Sequence, residues 1–266
     1  MHAMQNVAVM AARRGGDRLI RSLKRLDRIK VEKKGRNDFV SEADYAAEQA
    51  VIEVIRKHYP DHAIVAEESG RQGESEYEWI IDPLDGTTNF LHGFPVFCVS
   101  VGVLHNGRIE HGAVYDPLRQ EMFTASRGQG AQLESHRIRV SGRTDLSRAL
   151  LGTGFPYRDS NEAFDPYMNM LVAAMKNTAG VRRAGAAALD LCYVACGRFD
   201  AFWETGLKSW DLAAGALIIR EAGGIISGLD GSENFLDTGH VLAGTPKIYS
   251  ALARLFAPDI RKMFAA

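Results

Sequence analysis

Apolar positions near the start of the chain recur at helical spacing. Val7, Met10, Ala11, Leu19, Ile20 and Leu23 predict a helix over about Met4 to Leu26, weakened at Gly15-Gly16. The charged stretch from Lys30 to Asn37 reads as a linker. A second helix follows: Ser41-Glu42-Ala43-Asp44 has the form of a capping box, Ala47, Val51 and Val54 share a face, and Tyr59-Pro60 ends it. The period then shortens to that of strands. Ala63 to Ala66, Trp79 to Ile81, Val96 to Leu104, Ile109 to Tyr115 and Glu121 to Ala125 are strand-sized runs. Turns separate them at His105-Asn106-Gly107, Asp116 to Arg119 and Arg127 to Gly130, which predicts an antiparallel meander. The rest alternates. Helices are expected at about 163–177, 187–196, 211–221 and 246–256, and strands at 151–153, 201–204, 224–226 and 241–243. Polar residues near 141–150 suggest two parts, 1–145 and 146–266, in one α+β body.

Composition narrows the function. The chain has 266 residues and a net charge of −1, from 32 Lys+Arg against 33 Asp+Glu. So flat a balance argues against a nucleic-acid groove as the main task. With 46% hydrophobic and 24% charged residues it has the make-up of a folded globular protein. No apolar run approaches the roughly 20 residues that cross a bilayer, and Arg13, Arg14 and Asp17 interrupt the N-terminal apolar residues too early for a signal peptide. Cys98, Cys192 and Cys196 form no metal-finger spacing; the expectation is a cytoplasmic protein with Cys192 and Cys196 as buried core thiols.

The chemistry concentrates at Trp79-Ile80-Ile81-Asp82-Pro83-Leu84-Asp85-Gly86-Thr87. An apolar strand delivers Asp82, Pro83 restricts it to extended geometry, and Gly86 permits a tight turn. Asp82 and Asp85 then repel unless a cation or a proton lies between them, and Mg²⁺ prefers such oxygen ligands. The other reading is a polar turn whose aspartates cap backbone N–H groups. Glu67 and Glu68 end a neighbouring strand run, and Asp211 opens an apolar helix, where it would also suit the helix dipole.

Together, Glu67-Glu68-Ser69, Asp82-Pro83-Leu84-Asp85-Gly86-Thr87 and Trp210-Asp211-Leu212-Ala213-Ala214-Gly215, with Glu221-Ala222-Gly223-Gly224, resemble the signatures of the inositol monophosphatase family. Met1-His2-Ala3-Met4, Asn37-Asp38-Phe39-Val40 and Arg127-Gly128-Gln129-Gly130-Ala131-Gln132-Leu133 are similar to its bacterial SuhB-like branch. The resemblance covers essentially the whole chain. It implies a layered α/β/α/β/α sandwich of the inositol monophosphatase/fructose-1,6-bisphosphatase superfamily. It also implies a lithium-sensitive phosphoric monoester hydrolase that uses two or three Mg²⁺ ions to split myo-inositol monophosphate into inositol and phosphate.

Roles carry over by position. Glu67, Asp82 and the Leu84 carbonyl resemble ligands of a first metal, and Asp82, Asp85 and Asp211 those of a second; Glu67 also matches a residue that helps hold a third. Thr87, paired with Asp44, resembles the group that activates the attacking water. Lys33 matches a lysine near the site. Asp85, Gly185, Ala186, Ala187, Glu204 and Asp211 match contacts to polyol and phosphate. Ala186 departs from the family, which usually has Thr or Ser there, so a hydroxyl contact to substrate is expected to be lost. The superfamily also contains fructose-1,6-bisphosphatases and nucleotidases of bisphosphorylated nucleotides, but Thr88-Asn89 after Asp85-Gly86-Thr87 favours the inositol branch. The resemblance further implies a homodimer and a binding role with RNA polymerase and NusA in antitermination of ribosomal RNA transcription, either beside the phosphatase activity or as the primary function. Arg13, Arg14, Arg18, Arg21, Arg25 and Arg28 would offer that role a basic face, or form an ordinary solvated one.

Overall fold

The computed structural model describes residues 2–35, 38–156 and 161–264, with backbone alone for 32–35, 38–39 and 161–163. The elements run α1 (Ala3–Leu23), β1 (Val31–Gly35), β2 (Asp38–Ser41), α2 (Glu42–His58), β3 (Ala63–Ala66), β4 (Gly70–Gln72), β5 (Tyr77–Asp85) and α3 (Thr87–Leu91). Next come β6 (Cys98–His105), β7 (Arg108–Asp116), β8 (Glu121–Ser126), β9 (Gly130–Leu133), β10 (His136–Ile138), β11 (Leu150–Thr153) and α4 (Asn161–Asn177). The chain ends with β12 (Gly180–Arg182), α5 (Ala187–Ala195), β13 (Ala201–Glu204), α6 (Ser209–Glu221), β14 (Ile225–Ser227), α7 (Phe235–Thr238), β15 (Val241–Gly244) and α8 (Pro246–Met263).

An eight-stranded sheet has the order β10-β9-β8-β7-β6-β5-β3-β4, and a five-stranded sheet the order β12-β11-β13-β15-β14. From β5 to β10 the first sheet is an antiparallel meander; β3 joins β5 in parallel. Its 105–107 turn holds Asn106 at φ 49° and Gly107 at φ 76°, the twist that suits a two-residue hairpin. Helices α1 and α2 cover one face of this sheet, α5 and α6 lie between the two sheets, and α4 and α8 pack together against the second, giving an α/β/α/β/α layering. The middle helices fit that place because, Asp190 apart, their buried residues are apolar or small: every residue of α5 is buried, as is 212–219 of α6. On the outer layer, Ile248, Leu252, Phe256 and Ile260 of α8 form a buried stripe at a spacing of four.

Several elements depart from the sequence reading. The first helix ends at Leu23. Gly15 and Gly16 do not interrupt it; a Cβ would come within 2.9 Å of Val51 at the first and 2.6 Å of the Tyr115 ring at the second, so the pair lets α1 lie close on α2 and β7. The charged linker is largely the β1–β2 ribbon, whose strands satisfy each other's backbone groups and need no apolar alternation; Arg36 and Asn37 lie outside the described residues. The last helix continues through Pro258 to Met263 because one missing N–H does not outweigh continued burial of its stripe. Cys98 and Cys192 are buried, whereas Cys196 is half-buried.

Candidate metal centre

A regular strand sends residues three apart to opposite faces. Asp82 and Asp85 escape that rule through an irregularity in β5. Asp82 lies opposite Ser100 and Asp85 opposite Cys98, so three steps on β5 face two on β6. The extra residue is a bulge at Pro83-Leu84, and it turns both carboxylates to one side. Pro83 is tolerated because the ladder to β3 has already ended at Ile81 and Ala66. The strand therefore does not stop at Asp82 but runs to Asp85. Gly86 follows at φ 96°, where a Cβ would lie 2.9 Å from the Val96 carbonyl, and α3 starts at Thr87.

Asp211, in the first turn of α6, completes the group. Asp82, Asp85 and Asp211 each bring a carboxylate oxygen within 4.8 Å of the others. Glu67, just past β3, sets its carboxyl against that of Asp82 and opposes its ionisation. Asp82 Oδ1 also accepts from the Leu84 amide at 2.9 Å. Asp85 Oδ2 accepts from the Ala188 amide at 2.7 Å and from the Cys98 thiol at 3.6 Å, so the first turn of α5 points at it. Asp211 Oδ2 accepts from the Lys208 amide at 2.7 Å, so the cap function and membership of the acidic group coexist.

Burial and mutual repulsion make the group costly without a cation. Burial pushes the Asp82 carboxyl well above its usual range, and the charges of Glu67, Asp85 and Asp211 push it further. Burial, then Asp211, carries Asp85 up to about 7 against the amide of Ala188. An all-oxygen donor set of several carboxyls, in which burial and repulsion oppose ionisation until positive charge is supplied, suits Mg²⁺.

Beside this group, Thr87 Oγ1 lies 3.1 Å from both Asp44 Oδ1 and the Leu84 carbonyl, and its single proton serves one of them at a time. Asp44 closes the capping box of α2: its Oδ2 accepts from the Ser41 amide at 2.8 Å and the Ser41 hydroxyl at 2.6 Å. Burial raises its pKa, partly offset by Ser41 and Thr87.

The remaining candidate residues gather at the start of α5. Ala186 is the N-cap, 1% exposed and without a side-chain cap bond; Ala187 opens the helix. Gly185 precedes them, and Asn89 Nδ2 ties that segment to the motif by donating to the Ala184 carbonyl at 2.9 Å and the Val96 carbonyl at 2.8 Å. The Glu204 carboxylate, at the end of β13, fills the space a side chain at Gly154 would need. The side chain of Lys33 lies outside the described residues. Three further residues were not singled out from sequence: Asn89 as a tie, Glu48, and Asp190. Asp190 is 1% exposed, and its Oδ1 has no hydrogen-bond partner among the described residues. Burial, then the charges of Glu204 and Asp85, pushes its carboxyl up. An acid inside an otherwise apolar helix was the available signal.

The family model described as the inositol monophosphatase family matches residues 1–262. The chain belongs to the inositol monophosphatase family. A relative named Nus factor SuhB, from Pseudomonas aeruginosa, is 54% identical over 265 residues, covering 98% of each chain. The crystal structure of extragenic suppressor protein suhB from Bartonella henselae matches with a TM-score of 0.92 at 40% identity, over 96% of this chain and 98% of that one. An inositol monophosphatase structure from Anabaena matches with a TM-score of 0.84 at 39% identity, over 96% and 95% of the two chains. Membership supports a phosphatase, and the acidic group is one that could bind a metal of the kind such enzymes use.

Proposed function

We propose that the protein is a Mg²⁺-dependent phosphomonoesterase that hydrolyses myo-inositol monophosphate. The observation that carries this is the set of three carboxylates within 4.8 Å, two turned to one side by the β5 bulge. Asp82, Asp85, Asp211, Glu67 and the Leu84 carbonyl would hold the cations, with Asp82 central because Glu67, Asp85 and Asp211 all act on it. Bound Mg²⁺ supplies positive charge to the phosphate and acidity to a water. Thr87 orients and activates the attacking water, and Asp44 holds the threonine hydroxyl. The start of α5, with Gly185, Ala186 and Ala187, offers backbone N–H groups to an anion, while Glu204 and Asp211 accept from polyol hydroxyls. No covalent phospho-enzyme is required. Lithium sensitivity belongs to the same reading.

The test is phosphate release from inositol-1-phosphate with and without Mg²⁺, beside fructose-1,6-bisphosphate and a 3′,5′-bisphosphorylated nucleotide. Preference for either of the last two would replace inositol phosphate as the substrate. Failure of Mg²⁺ to stimulate any of them would overturn the metal-dependent reading.

Relatives named Nus factor SuhB favour a second role, as a cytoplasmic binding partner of the transcription machinery. Arg13, Arg14, Arg21, Arg25 and Arg28 of the basic set are exposed and Arg18 is half-buried; Arg13 pairs with Glu134 at 3.2 Å and Arg28 with Asp27 at 3.7 Å. Among the described residues no helix is long and apolar enough to cross a membrane. Pull-down with NusA and RNA polymerase, using wild type and Asp82→Asn, separates binding from catalysis, and sedimentation tests the proposed homodimer.

A further inference from the structure

Two acids lie one turn apart on the inward face of α2. Asp44 and Glu48 are each 1% exposed. Asp44 serves Thr87; Glu48 reaches a different part of the site. Its Oε2 accepts from the Glu68 amide at 2.8 Å and its Oε1 from the Ser69 amide at 3.0 Å. One carboxylate thus grips two consecutive peptide groups, one oxygen to each. Those peptides come immediately after Glu67, whose own amide donates to the Ile81 carbonyl at 3.2 Å and whose carboxyl acts on Asp82. The segment is held to β5 on one side and to α2 on the other.

A buried carboxylate is costly unless hydrogen bonds compensate it. A neutral side chain such as Gln has one acceptor oxygen and could satisfy only one of the two amides with full strength. The two charge-assisted bonds therefore explain why an acid occupies the position. They fix the peptide planes on which the direction of the Glu67 side chain depends.

We propose that Glu48 is a positioning residue: by clamping the Glu68 and Ser69 amides it aims the Glu67 carboxylate at the acidic group, so cation affinity there depends on a residue that is not itself a ligand. This rests on the metal-centre reading above. Partners of this kind behind metal ligands typically matter by about tenfold to a hundredfold in affinity.

The test is direct Mn²⁺ binding, followed by the electron paramagnetic resonance of free Mn²⁺, for wild type, Glu48→Gln and Glu48→Asp. Aspartate keeps the charge but is too short to reach both amides; glutamine keeps the reach but loses the charge. Positioning predicts that both variants weaken the tightest site about tenfold or more, Glu48→Asp at least as much as Glu48→Gln. Wild-type affinity in Glu48→Asp would overturn the proposal, because it would leave only a long-range charge effect. Absence of Mn²⁺ binding by wild type would instead overturn the metal-centre reading beneath it. Hydrogen exchange in metal-free wild type gives a check that needs no variant: the Glu68 and Ser69 amides should be strongly protected, and fast exchange at both would refute the clamp.

Discussion

Stripping the protein of divalent cations should make its stability fall as pH rises from 4 to 7, and Asp85 should carry a separable share of that fall. The sign follows from its raised pKa. Below about pH 4 the Asp85 carboxyl is protonated in both the folded and unfolded chain and has no effect on the balance. Between its ordinary value of 3.8 and its folded value of about 7, the unfolded chain gives up the proton and the folded one keeps it. Stability then falls by about 1.4 kcal/mol per pH unit, reaching about 4 kcal/mol near pH 7 and staying constant above. That is a large part of the roughly 5–15 kcal/mol that holds a typical domain together. The perturbation is Asp85→Asn, whose side-chain oxygen can still accept from the Ala188 amide. The assay is urea unfolding in EDTA at pH 4.5, 6 and 7.5. His111, whose pKa burial lowers to about 4, contributes a slope of opposite sign, but it is common to both proteins and cancels in their difference. The variant should gain on wild type by about 3 kcal/mol between pH 4.5 and 7.5. Saturating Mg²⁺ should flatten the wild-type slope and narrow the pH-dependent gap between the two proteins. Parallel curves in EDTA, or a gap that narrows with pH, would refute the reasoning.

Other outcomes follow from the same geometry. Asp82→Asn should lower Mg²⁺-dependent phosphate release by about a hundredfold or more while the metal-free protein melts no lower than wild type, since a buried carboxyl whose ionisation three neighbours oppose is replaced by a neutral amide; turnover within a few-fold of wild type would remove Asp82 from the site. Thr87→Ala should reduce kcat by about 10²–10⁴-fold with KM within a few-fold, and Thr87→Ser should restore most of it; equal, small effects of both would leave Thr87 as a turn residue. Ala186→Ser should raise stability by about 0.5–1 kcal/mol in thermal melts, because the position is an N-cap without a side-chain acceptor. KM for inositol-1-phosphate should then change little, because the hydroxyl is spent on the helix; a selective tightening over glycerol-2-phosphate would show that it faces the substrate instead.

The sequence by itself determined the parts whose signal is local. The capping box at Ser41 and Asp44, the Asn106-Gly107 hairpin and the strand runs of the meander depend on neighbours a few residues away, and periodicity exposes them. The motif acids were legible for the same reason: Asp82, Asp85, Glu67 and Asp211 stand at the edges of apolar runs. Whatever depends on residues distant in the chain was not legible. Strand β1, within the charged stretch from Lys30 to Asn37, looked like a linker because pairing with β2, not apolar alternation, holds it. Gly15 and Gly16 looked like weak points, but space beside Val51 and Tyr115 requires them. Residues 82 and 85 should face opposite ways in a regular strand, and only the mismatched register against Ser100 and Cys98 turns them together. Glu48 carries no signal of its own in the sequence, because only the fold brings the Glu68 and Ser69 amides to it across twenty residues of chain. Local spacing chooses elements and presents chemistry, but a carboxylate's partners, and hence its charge and its use, are fixed by which distant segments the core packs against it.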